Sequence, residues 1–224
     1  MKIGFYPGLL RDVKLLSLYH AGRVHLESGG AIDEGTFSVG FIEVTSYCPG
    51  NCRGCYIPDR RDKQVIDPLL VDRFIDQLKP YGPTQFPIVG GEPFDEVAQD
   101  TTLGIIADHP NVFFSICTSG RDIDEGFADR IAQLDNLSVT LSIDGFERNN
   151  NMRRGRGAFG EFLIASKLLK QREVLITAYV TINKYNHQEV TDETFVDFLA
   201  ENGVKVASFH RMFSGEGEIN DREY

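Results

Sequence analysis

From residue 37 onward, short runs rich in valine, isoleucine and phenylalanine alternate with longer amphipathic stretches. The apolar runs at 37–45, 86–89, 112–117, 137–143, 174–182 and 204–210 predict six β-strands. Most show no clean alternation of polar and apolar positions, as strands buried on both faces should. The stretches at 68–78, 95–108, 123–134, 159–171 and 189–201 predict helices. Asp67 before Pro68 reads as an N-cap followed by the first helical position, and Asn202-Gly203 reads as a helix stop. Leu163, Ala165, Ser166 and Leu169 recur near helical spacing and give the fourth predicted helix an inward face.

Strand and helix in alternation predict a parallel sheet. Six such units are too few for a closed eight-stranded barrel, so the α/β architecture expected is a partial (βα)6 barrel. Residues 1–36 break the pattern. Tyr6-Pro7-Gly8 and Gly29-Gly30 are turn signals there, and the stretch reads as an N-terminal extension packed on the barrel. The barrel core is expected over 37–213 and a loop-like tail over 214–224, with no internal repeat and no low-complexity segment.

In parallel α/β folds, functional groups collect at the carboxyl ends of the strands. Here those ends carry a cysteine loop, Gly90-Gly91-Glu92-Pro93, Thr118-Ser119-Gly120, Ser142-Ile143-Asp144, Asn183 and His210-Arg211. The cysteine loop is the most informative. Cys48, Cys52 and Cys55 stand in a C-x3-C-x2-C spacing, and Cys117 lies far away. Three thiolates on one loop can hold three irons of a [4Fe–4S] cluster and leave the fourth open to a ligand. A structural zinc site is the alternative, but it wants a fourth Cys or His at short spacing, and the closest histidines are His25 and His109. Downstream, Ile88-Val89 ends a strand in Gly90-Gly91-Glu92-Pro93, where two glycines allow close approach of a ligand and Glu92 offers a carboxylate to an ammonium.

These two segments, together with Leu141-Ser142-Ile143-Asp144-Gly145 and Arg154-Gly155-Arg156-Gly157-Ala158-Phe159, resemble the motifs of the radical S-adenosylmethionine (radical SAM) superfamily. The likeness is greatest to its molybdopterin, haem and peptide-modifying branches. The resemblance implies a partial barrel with a [4Fe–4S] cluster on Cys48, Cys52 and Cys55. It implies S-adenosylmethionine capping the open iron, with its amino group received by Gly90, Gly91, Glu92 and Pro93. Thr118 and Ser119 fall where relatives contact the ribose or carboxylate, although an ordinary strand-to-helix turn reads equally well. Ser142 and Asp144 are further cofactor contacts by the same likeness, with Arg154 on the cofactor carboxylate or a substrate anion. Asn183 would reach the adenosyl group, or be a turn asparagine. Two departures stand out: Asn150-Asn151 replaces the usual His-Asp, and Gly54 replaces the usual aromatic residue before the third cysteine.

The activity implied is reductive cleavage of S-adenosylmethionine and hydrogen abstraction from a small-molecule or peptide substrate, with a one-electron reductant such as flavodoxin or ferredoxin as partner. A glycyl-radical-enzyme activase is a second reading. A non-catalytic iron–sulfur or zinc-binding protein is a third. No cysteine follows Cys117, so no second cluster can be built from thiolates within these residues.

A net charge of −10 and a pI near 5.0 argue against nucleic acid as a partner. A local basic patch of Arg148, Arg153, Arg154 and Arg156 survives that argument as a site for a carboxylate or phosphate, or as a solvated loop. Cys117 ends an apolar run and reads as a buried thiol packed as a small hydrophobe, with a ligand as the alternative. His210 and Arg211 read as substrate-facing residues, with a core histidine as the alternative for His210. Crowded thiols argue against disulfides and for a reducing compartment. With no signal-like start and no membrane-length apolar run, a cytoplasmic protein without membrane contact is expected.

Overall fold

Ile42, Ile88, Ile116, Val139, Ile176 and Val204 stand opposite one another in register and form one row across the whole sheet. The row belongs to a computed structural model that describes residues 40–57, 61–78 and 85–212. Its strands are β1 (Ile42–Thr45), β2 (Gln85–Gly90), β3 (Phe113–Thr118), β4 (Leu137–Ser142), β5 (Ile176–Ile182) and β6 (Val204–Arg211). They pair in chain order, all parallel, into one six-stranded sheet. This is the sheet of a partial (βα)6 barrel. β-branched residues suit the pleated surface, and burying each contributes about 1.5–3 kcal/mol. The row fixes the register, because a slip by one residue would turn it away from the core.

Helices α1 (Pro68–Leu78), α2 (Gln99–Asp108), α3 (Glu125–Ile131), α4 (Glu147–Arg154), α5 (Ala158–Gln171), α6 (His187–Val190) and α7 (Glu193–Glu201) complete the described residues. Asp67 accepts a hydrogen bond from the Leu69 N–H at 3.0 Å, as its N-cap reading requires. The helix expected over 123–134 starts later, because Asp124 caps it by accepting from the Phe127 N–H at 2.7 Å. The single helix expected over 189–201 is two, divided where Asp192 accepts from the Thr194 N–H at 3.0 Å and starts α7. Helix α4 has no counterpart in the hydrophobic pattern. Its run Glu-Arg-Asn-Asn-Asn-Met-Arg-Arg carries no apolar stripe. It is anchored instead at its start, where the Phe146 ring packs edge-on against Phe195 and Phe198 at 5.5 and 5.3 Å. Arg153 and Arg154 complement the helix dipole in its last turn.

The strands meet their expectation in part: β4 is buried on both faces, while the polar positions of β5 are only half-buried. Leu137-Ser138-Val139-Thr140-Leu141-Ser142 and Ile176-Thr177-Ala178-Tyr179-Val180-Thr181 alternate strictly, apolar then polar. The apolar set packs under the helices as the core. The polar set covers the other, inner face, where the Thr140 and Thr177 hydroxyls are 2.7 Å apart. Cys117 lies in this polar set, not in the apolar core, and accepts a hydrogen bond from the Tyr179 hydroxyl. The expected extension 1–36, the residues 37–39 of the first predicted strand, and the tail 214–224 lie outside the described residues. Among the described residues no helix is long and apolar enough to cross a membrane.

Candidate functional site

The carboxyl ends of the strands meet at one mouth, and the first three ends are joined by hydrogen bonds. The Gly91 N–H donates to the Thr45 carbonyl at 2.6 Å and the Glu92 N–H to the Tyr47 carbonyl at 2.8 Å. The two glycines make this docking possible. A Cβ on Gly90 would sit 2.3 Å from the Thr45 carbonyl oxygen, and one on Gly91 2.0 Å from that of Tyr47. Their missing side chains therefore admit the start of the cysteine loop. The Pro93 carbonyl accepts from the Thr102 hydroxyl at 2.9 Å, which ties the same turn to α2.

Glu92 is buried, and its carboxylate collects the end of β3. One oxygen accepts from the Thr118 hydroxyl at 2.5 Å, and the other from the Ser119 hydroxyl and N–H at 2.6 and 2.9 Å. Thr118 and Ser119 thus support Glu92. The ordinary-turn reading of the pair missed this link.

The thiols of Cys48, Cys52 and Cys55 are half-buried and unbridged on the loop that follows β1. The Gly50 N–H points to the Cys48 sulfur at 3.4 Å. Burial pushes the Cys48 thiol up to about 11, against the pull of that N–H and of the Arg121 charge. Such a thiol becomes a ligand only when a metal takes its proton's place. Among the described residues no group of three or more His, Cys, Asp or Glu side chains is arranged around one metal position. The donor set itself, three thiols on one short loop, suits irons held separately in a cluster.

The fourth strand end differs from its expectation. Asp144 has no exposed surface. Its carboxylate accepts from Arg153 Nε at 2.6 Å, Arg154 Nη2 at 3.1 Å and the Thr181 N–H at 2.8 Å, while Arg154 Nε lies 2.7 Å away as an ion pair without hydrogen-bond alignment. Burial pushes the Asp144 carboxyl up, but the Arg154 and Arg153 charges and hydrogen bonds outweigh it and hold the group below the usual carboxylate range. Asp144 is therefore committed to arginine and backbone donors, and Arg154, expected to meet a cofactor carboxylate or a substrate anion, is ion-paired with Asp144. The basic patch splits accordingly: Arg148 and Arg156 are exposed while Arg153 and Arg154 turn inward.

Ser142 ends β4 on the polar inner face, opposite Tyr179. The Asn183 side-chain oxygen accepts from the Tyr185 and Asn186 N–H groups at 2.8 and 3.2 Å within its own turn. His210 is exposed and meets the Tyr179 ring edge-on at 4.9 Å. Three residues of this mouth were missed in the sequence. Asn150 accepts from the Asp144 N–H at 3.0 Å, and the Asn186 amide donates to the Asp144 and Thr181 carbonyls at 2.8 Å each. Glu189 takes the Phe146 N–H at 2.6 Å and the Asn149 amide at 3.1 Å. Asn186 reaches Asp144 and Glu189 reaches Phe146 across long separations, for which local patterns carry no signal, while Asn150 reaches back only to Asp144.

A model of the Radical SAM superfamily matches residues 42–218, from β1 past the last strand. The chain belongs to the radical SAM superfamily. The family's cofactors are a [4Fe–4S] cluster and S-adenosylmethionine, and its members are enzymes. Among curated relatives, the sporulation killing factor maturation protein SkfB of Bacillus subtilis (strain 168) is 25% identical over 155 residues, which are 67% of this chain and 37% of that protein. The Fe-coproporphyrin III synthase of Methanosarcina barkeri is 26% identical over 180 residues, 78% of this chain and 44% of that one. Among solved structures, Streptococcus suis SuiB bound to S-adenosylmethionine superposes with a TM-score of 0.71 at 19% identity, over 87% of this chain and 45% of that one. The chain spans less than half the length of each of these proteins. At that identity the likeness to SuiB is one of fold.

Proposed function

We propose that the chain is the catalytic core of a radical SAM enzyme that acts on a peptide or small polar substrate. The observation that carries this reading is the docking of the Gly90-Gly91-Glu92 turn on the start of the cysteine loop, through Gly91 to Thr45 and Glu92 to Tyr47. It sets a three-thiol loop beside a buried carboxylate at one strand mouth. Cys48, Cys52 and Cys55 would hold the cluster, and the segment Gly90–Pro93 would receive the cofactor's amino group. Ser142 on the inner rim is free to contact the cofactor directly, whereas Thr118 and Ser119 act through Glu92, and Asp144 acts through Arg153 and Arg154.

When bound, cluster and cofactor supply one-electron cleavage of the carbon–sulfur bond and a 5′-deoxyadenosyl radical that takes a hydrogen atom from substrate. The chain's own residues orient those groups and offer the substrate a polar inner face, with Glu43 exposed on β1 and Tyr179 and His210 in ring contact on β5 and β6. A peptide substrate is favoured by SuiB, whose structure with the precursor peptide SuiA shares this fold at a TM-score of 0.70. A flavodoxin or ferredoxin would deliver the electron.

Anaerobic reconstitution with iron and sulfide, reduction with dithionite and addition of S-adenosylmethionine test the reading. Slow release of 5′-deoxyadenosine and methionine is expected, abolished in Cys52→Ala. A full cluster without 5′-deoxyadenosine above the variant background would overturn it.

A further inference from the structure

Arg53 sits between Cys52 and Cys55, and one distant residue takes both of its backbone polar groups. Its N–H donates to the Arg153 carbonyl at 2.8 Å, and its carbonyl accepts from Arg153 Nη1 at 3.3 Å. The neighbouring Cys52 thiol lies 3.9 Å from the Arg154 carbonyl. Arg153 is itself immobilised. Its Nε donates to Asp144 Oδ2 at 2.6 Å and its Nη2 to the Thr181 hydroxyl at 3.0 Å. Asp144 is held in turn by Asn150, Asn186 and the Thr181 N–H. A continuous chain of hydrogen bonds thus runs from the buried end of β4, through one guanidinium, to the middle of the cysteine loop.

We propose that Arg153, fixed by Asp144, is a positioning residue that holds the Cys52–Cys55 half of the loop at the spacing the cluster needs. Three thiolates leave a cluster with no fourth protein thiolate to share the strain, so the loop backbone alone sets how far apart they stand. A loop free to widen loses iron. Arginine suits the task because its planar fork reaches three acceptors at once, which a lysine ammonium on a flexible stem cannot hold in fixed directions. A purely charge-balancing role toward Asp144 predicts the opposite, that lysine would serve as well.

Arg153→Lys and Arg153→Gln in the full chain, compared with the parent, test the proposal by two measurements. Arg154 remains in both variants to neutralise Asp144. The first is amide hydrogen exchange in the cluster-free protein, which does not depend on the proposed activity. Exchange over residues 52–55 is expected to rise about tenfold in both variants, with the sheet unchanged. The second is iron release to a chelator from anaerobically reconstituted protein, expected to be about tenfold faster in both, with a changed electron paramagnetic resonance signal of the reduced cluster. Release and exchange within twofold of the parent in either variant would overturn the proposal, as would full rescue by lysine or loss of the fold in both. If the parent itself assembles no cluster, the functional reading fails while the exchange measurement still decides the latch.

Discussion

Ser119 binds Glu92 twice, its hydroxyl and its N–H both donating to the same carboxylate oxygen, at 2.6 and 2.9 Å. With Thr118 on the other oxygen, the end of β3 hangs on a residue that β2 delivers and the cysteine loop docks against. Three strand ends are one unit, and Glu92 is its centre.

Removing that centre has two measurable effects. Glu92→Ala leaves the donors of Thr118 and Ser119 without an acceptor in a closed site, and is expected to destabilise the fold by about 2–4 kcal/mol. Glu92→Gln keeps an acceptor oxygen and is expected to cost about half as much. Urea denaturation gives both values, and calorimetry on reconstituted protein should show weaker S-adenosylmethionine binding in each. Unchanged stability in Glu92→Ala would contradict the geometry.

The cysteines separate into two classes. Cys48→Ala, Cys52→Ala and Cys55→Ala should each lose most bound iron, because two thiolates cannot retain a cluster built for three. Cys117→Ala should keep it, since Cys117 faces Tyr179 on the inner sheet surface. Iron and sulfide analysis after anaerobic reconstitution checks all four variants.

Cys117 should also be chemically quiet. Burial pushes its thiol up to about 12, an effect the Tyr179 hydroxyl only partly opposes and the Glu92 charge adds to. At pH 8 about one molecule in ten thousand then carries the reactive thiolate. Mass spectrometry after iodoacetamide treatment of the native protein should find Cys117 unmodified, with modification appearing once the chain is unfolded. Rapid labelling of the native protein would contradict the assigned environment.

Asp122 makes a pH-dependent prediction. Burial, then the Glu92 and Asp95 charges, push its carboxyl up to about 6, against the pull of Arg121. One of its oxygens is buried without a hydrogen-bond partner. The native state thus holds this proton more tightly than the unfolded chain does. Its ionisation therefore lowers stability as pH rises from about 4 to about 6, and the loss is complete above that window. Asp122→Asn should stabilise the protein by about 1 kcal/mol at pH 8, a figure reduced for the half-open site, and by little at pH 4.5. Urea midpoints at the two pH values check it.

The six strands were readable because β-branched and aromatic residues cluster in runs of the right length, and the row from Ile42 to Val204 is their direct product. Asp67 and Asn202-Gly203 marked helix ends by local chemistry alone. The alternation of β4 and β5 was also written in the sequence, and β4 is buried on both faces as expected, while the polar positions of β5 stay half-buried. Helix α4 was missed for a different reason. With no apolar stripe, it exists because Phe146 packs against α7 and because Asp144 waits for its arginines. The family motifs marked Glu92, Asp144 and Arg154, but not that the last two would be ion-paired with each other. Pairings across 10 to 100 positions depend on where strands end, and that is settled only by the assembled sheet.

The division of the sheet into an apolar outer face and a hydroxyl-lined inner one has an evolutionary consequence. Cohesion resides in the shell between strands and helices, where Phe86, Phe114, Phe162 and their neighbours are fully enclosed. Side chains such as Ser115 and Thr177 on the inner face carry little of that cohesion and so are open to exchange. A barrel of this kind can acquire a new appetite by changing its lining while its walls, and the chemistry at its rim, stay as they are.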